Sequence, residues 1–271
     1  MPKNLFYEDV KVLKKPFKRR LKTLFAFFLF ALMFGGVLFC SVYLSKALSV
    51  GNISQAIVFG GSDISIKAHS YYMVALGRYD DLNEAQEVAL GSTLRGASGF
   101  VWKDNNSYLV VGNIYSSLQD AENVKKNIGN ELYKTEIFEI KFPKIKFNFE
   151  DLENSDVKKI RIGLENIDKI YQTLYDYSIK FDRKDMNNFA VCNGISMLRG
   201  ELKSNIINIQ SLQKNSFSSQ LQEIINSLTK IDELLDSALL IIIDNSATNY
   251  TLKNSIACVV ESKYNLYNVK F

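Results

Sequence analysis

Three hydrophobic patterns succeed one another along the chain. Thr23 to Ser45 carries no charge and is dense in Leu, Phe, Ala and Val. At about 1.5 Å per residue such a run is long enough to cross a bilayer core of roughly 30 Å. From Tyr71 to Ile140 the apolar residues come in short β-branched and aromatic runs, two of them followed by a turn and a helical spacing. From Asp151 onward apolar positions recur at steps of three and four, in segments separated by short polar breaks.

The middle region repeats. Tyr72 to Val88 reads YMVALGRYDDLNEAQEV, and Tyr108 to Val124 reads YLVVGNIYSSLQDAENV. Each copy opens as a strand, turns at Asp80-Asp81 or Ser116-Ser117, and continues as a helix. The helical apolar positions are Leu82, Ala85, Val88, Ala89 and Leu118, Ala121, Val124, Ile128. Asp81 and Ser117 stand where an N-cap oxygen is wanted, with Glu84 and Asp120 three residues on. Ala97 to Trp102 adds a strand that Lys103 to Asn106 should turn into a hairpin with the Tyr108 strand. Leu132 to Ile140 adds a fourth. The predicted order is β-α-β-β-α-β, a split-βαβ sheet with both helices on one face and the other face free.

The two copies of aromatic-x-Val followed by Gly, an aromatic and a helix with an early Ala resemble the SPOR (sporulation-related repeat) domain family. The first copy runs from Tyr72 to Tyr79 with Gly77 and Ala85, the second from Tyr108 to Tyr115 with Gly112 and Ala121. The resemblance covers the repeat region alone. It implies binding of septal peptidoglycan glycan strands, in cell division or at the sporulation septum, on the free sheet face. The positions assigned to that face are Tyr71, Met73, Ala75, Trp102, Tyr108 and Val110. Aromatic rings there would stack on the C–H faces of sugars. The family often carries Gln where this chain has Ala75, and Arg around Tyr108 to Val110, where this chain is apolar. A scaffold role therefore stands beside glycan binding, with the C-terminal helices docking another envelope protein.

Charge separates the tail from the body. Residues 1–22 hold eight Lys or Arg against two acids, whereas the whole chain is only +4. The body is thus slightly acidic, which argues against nucleic acid as its partner. The basic cluster precedes the apolar run, so the positive-inside rule predicts a cytoplasmic tail at 1–22, a single transmembrane helix at 23–45 and an extracytoplasmic remainder. A Gly- and Ser-containing linker is expected at 46–69, the SPOR-like domain at 70–142 and a connector at 143–150, where Pro143 breaks an alternating run. Residues 151–271 read as an antiparallel three- or four-helix bundle with Asp185, Ser216 and Ser246 as caps. The fold class is α+β.

Chemistry is sparse. His69 is the only histidine and reads as a solvent or turn residue. There is no phosphate loop, no HExxH and no Cys/His cluster with metal spacing. Cys192 and Cys258 fall within the bundle, where free thiols or a bridge are both open. The expectation is a non-enzymatic protein with no cofactor, partnered by glycan strands, the membrane and an envelope protein through 151–271.

Overall fold

The computed structural model describes residues 58–60, 63–128, 133–214, 218–244 and 247–268. The chain divides into two units, 1–54 and 55–271, and every described residue belongs to the second. The expected tail and transmembrane helix lie outside the described residues. Among the described residues no helix is long and apolar enough to cross a membrane.

The unit is α+β, with six α-helices and two small sheets among the described residues. The repeat gives β3 (His69–Tyr79) then α1 (Leu82–Thr93), and β5 (Ser107–Tyr115) then α2 (Leu118–Ile128). β4 (Phe100–Asp104) joins β5 as a hairpin, and β6 (Glu136–Phe142) closes the set. The sheet is antiparallel in the order β4-β5-β3-β6. Both helix starts are capped by the expected residues. Asp81 accepts from the Glu84 amide at 2.9 Å, and Ser117 from the Asp120 amide at 3.4 Å. Tyr72, Val74 and Leu76 face α1 and α2, packing with Ala85, Ala89 and Ala121. The small alanines let the helices lie close on the sheet.

The stretch expected to be a linker contributes structure of its own. β1 (Val58–Gly60) and β2 (Asp63–Ile66) pair with β7 (Ile145–Asn148), which lies in the expected connector. Pro143 ends β6 and lets the chain turn into β7 rather than run on. Ile64, Ile66, Phe147 and Phe149 form the buried side of this second sheet.

The C-terminal region is a four-helix bundle: α3 (Asn154–Asp182), α4 (Asn188–Gln210), α5 (Ser219–Ile243) and α6 (Thr248–Asn268). Neighbours are α3–α4, α4–α5, α5–α6 and α6–α3. The expected stripes are buried almost throughout, from Ile160 to Leu174, Val191 to Ile209 and Leu221 to Ile242. The α4 cap is Asn187, which accepts from the Ala190 amide at 2.9 Å, not Asp185. Ser218 caps α5 by position, and Ser216 and Ser246 lie outside the described residues.

α6 differs from the other three. It packs on the bundle and on the sheet at once, so it is buried nearly all round. Thr251 and Ser255 hide their hydroxyls by donating to the carbonyls one turn back, at 2.8 Å each. A helix buried on every side carries no single apolar stripe, which is why its periodicity is weak.

Candidate functional site

The face of the sheet opposite α1 and α2 is covered by α3 and α6. This corrects the expectation of a free face. Tyr71 is 1% exposed, Met73 and Ala75 are fully buried, and Trp102 is 5% exposed. Tyr71 lies against Tyr171 of α3, with ring centres 4.6 Å apart. Trp102 meets Tyr264 of α6 edge-on at 5.5 Å. Tyr108 and Val110 point to the other side of the sheet and pack in the cluster under α1. The six residues therefore form no common surface. Four are sealed beneath the bundle and two belong to the core below α1.

Polar links fasten the cover. The Tyr171 hydroxyl donates to the Ile114 carbonyl at 3.3 Å. Lys253 and Asn254 of α6 donate to the carbonyls of Gly96 and Ser98, at 2.8 and 3.0 Å. That loop holds Gly96 at φ +79° and Gly99 at φ +66°, left-handed values that suit glycine. Lys253 also pairs with Asp182 at the end of α3, at 3.0 Å.

Over the β3–β6 end of the covered face is a buried charge. Lys263 of α6 is 2% exposed and pairs with Asp168 of α3. Its ammonium stands 5.3 to 5.5 Å from the ring centres of Tyr71, Phe142 and Tyr267. The ring faces are negative and offset part of the lost hydration. Burial still favours the neutral amine and lowers the Lys263 pKa, while Asp168 opposes the shift. Burial and the Asp168 charge push the Tyr71 phenol well above its ordinary range, so it stays protonated and faces Asp168 at 3.5 Å.

His69 is half-buried at the edge of this cluster. Its ring stacks on Phe142 at 4.6 Å, and Nδ1 lies 3.2 Å from the Lys67 carbonyl. Burial, with Lys263 nearby, lowers its pKa to about 4. Periodicity gave no hint of the Lys263–Asp168 pair. The usable signal was a lysine set among Val260, Leu266 and Tyr267 in a helix lacking one apolar face.

The arrangement clamps the bundle to the sheet. Among the described residues no group of three or more His, Cys, Asp or Glu could hold a metal ion. Cys192 and Cys258 are free thiols, and burial pushes the Cys258 thiol up to about 12.

The bundle's outer side is different. Phe189, Met197 and Ile207 of α4 are 74%, 70% and 65% exposed. Phe189 and Ile207 lie five turns apart on one line of the helix, with Met197 and Gly200 in the same quadrant. Beyond Gly200 there is open space. Arg199 holds α4 to α5 through Asp232 at 2.9 Å and through Asp236.

No family model, no curated protein and no solved structure matches the chain.

Proposed function

We propose that this protein is a non-catalytic, membrane-anchored scaffold of the cell envelope. Its repeat sheet is a seat for its own helical bundle, and the outer side of that bundle docks another envelope protein. The observation that carries the reading is the burial of Tyr71, Met73 and Trp102 beneath α3 and α6. The side chains a sugar would stack on are used inside the molecule. The outer face of α4, by contrast, leaves the large apolar side chains Phe189, Met197 and Ile207 in water, where a partner surface could cover them. Anchoring by residues 23–45, with the remainder outside the cytoplasm, follows from the charge pattern of the sequence.

A photo-crosslinking residue at position 197 tests the reading in cells, with the same residue at the exposed Leu94 as control. The scaffold yields one discrete adduct from position 197 and none from 94. Equal labelling from both positions, or none, speaks against it.

The resemblance to the SPOR family and the β-α-β-β-α-β order favour a second reading, septal glycan binding. It requires the bundle to leave the sheet, and the buried Lys263–Asp168 pair is a costly contact that such a departure would relieve. Co-sedimentation of the full chain with amidase-treated wall, lost in Trp102→Ala, would move the function to the wall.

A further inference from the structure

The core between the sheet and α1/α2 is not continuous. One cluster, with Leu76, Ala89 and Val110, lies under α1. Another, with Val74, Tyr115 and Ala121, lies under α2. Between them is a cleft of about 300 Å³. Its existence follows from the strands. The register of β3 against β5 shifts between Val74 and Ala75 and again between Ala75 and Gly77. These shifts leave Leu76 and Gly112 without direct opposites, and both residues line the cleft. Bulges of this kind bend a strand and re-aim its side chains. A side chain at Gly112 would put its Cβ 3.1 Å from the Val74 carbonyl, a tight contact that would press the two strands apart by a few tenths of an ångström.

The walls are mostly apolar, with Val124 and Ile128 of α2, Leu76 and Ala97, and they also carry Ser92 and Asn113. At one side stands Arg95, exposed, with its guanidinium 5.8 Å over the Tyr133 ring and donating to that hydroxyl at 3.4 Å. Among the described residues Arg95 has no carboxylate partner, and no Asp or Glu lines the cleft. The other cation there, Lys253, is already committed to Asp182 and the Gly96 carbonyl. A gap of this size gives up packing contacts along its apolar walls.

We infer that the cleft binds a single-chain amphiphile, with its apolar chain between α1 and α2 and its anionic head on Arg95. The volume lies at the lower end for ligand cavities, roughly 300–1,000 Å³. At ~30 Å³ per water-sized group it holds a chain of about ten carbons. A fatty carboxylate and a phosphate-headed lipid fragment share this chemistry. The site lies between the sheet and α2, with Lys253 of α6 at its rim, and stands or falls independently of the docking surface on α4.

The test uses the full chain in phosphatidylcholine nanodiscs and a decanoate analogue carrying a diazirine in its chain, with adducts mapped by mass spectrometry. Decanoate, decyl phosphate, decylamine and decanol serve as competitors. The expected result is labelling within Leu82–Thr93 and Leu118–Ile128 that the two anions displace and the amine and alcohol do not. Whichever anion displaces at the lower concentration identifies the source. Val124→Trp, which fills the cleft, abolishes this labelling. Arg95→Glu lowers the affinity at least tenfold and lets decylamine compete. Because Arg95 is exposed, its reversal leaves the core intact and decides the matter even if the Val124 variant misfolds. Competition by decylamine or decanol equal to that of the anions in the unaltered chain, or labelling unchanged in Arg95→Glu, overturns the proposal.

Discussion

The Lys263 ammonium stands 5.4 Å from the centre of the Tyr71 ring, joining the last helix to the first long strand. The contact spans nearly the whole described chain and fixes how the bundle sits on the sheet. A buried ion pair contributes little net stability when complete, but removing one partner strands the other in an apolar site.

Lys263→Met is therefore expected to destabilise the fold by about 3–5 kcal/mol, because it removes the cation paired with Asp168 inside the packed interface. Lys263→Met with Asp168→Leu should recover most of that loss. Denaturant midpoints of the full chain in detergent check both. A double variant as unstable as the single one would show that the stranded carboxylate is not what weakens the fold.

The lowered pKa of His69 gives stability a pH dependence. The unfolded side chain titrates near 6.5 and the folded one at about 4, so the unfolded state binds the extra proton between those values. Stability from this group is complete above pH 6.5, declines as pH falls toward 4 and is level below. His69→Phe keeps a ring against Phe142 and removes the titration. Midpoints at pH 7, 5.5 and 4.5 should fall less steeply in the variant, and parallel curves would refute the assignment.

Trp102 is the only tryptophan in the chain, so its fluorescence reports on the cover directly. Sealed against Tyr264, it should emit at short wavelength and resist acrylamide quenching. Emission of a water-exposed indole in the native protein would mean that the bundle spends its time off the sheet.

Asn166 of α3 is buried with both amide atoms unpartnered. An unsatisfied buried amide costs about 1–3 kcal/mol. Asn166→Leu, of similar volume and apolar, is expected to raise the denaturant midpoint by about 1–2 kcal/mol in stability. A lowered midpoint would show that the amide has a partner in solution.

Much of the fold was legible because local rules agreed there. Paired Tyr-led runs, Asp81 and Ser117 caps, and the alternation of Tyr72, Val74 and Leu76 all pointed to one sheet-and-helix layer. The stripes of α3, α4 and α5 were equally plain. The covered face was not, for a physical reason. Alternation divides Tyr71 and Met73 from Val74 and Leu76, but it does not say which side meets water when both are apolar. The one helix that could have revealed the cover, α6, spreads Thr251, Ser255 and Lys263 through a fully buried surface and so looks like a poor bundle helix. The second sheet was hidden because β1, β2 and β7 are short and separated by some eighty residues of chain. The bulges at Leu76 and Gly112 left only a trace, the spacing of 35 between two glycines in a repeat offset of 36.

The pairing of Asp63 with Asn148 has a mechanical consequence. The chain enters the four-stranded layer and leaves it at neighbouring points. A pull between the N-terminal side of β2 and the helices beyond β7 would run across that one short ladder, peeling it from the end, while the four-stranded layer hangs beside the line of tension and carries almost none of it.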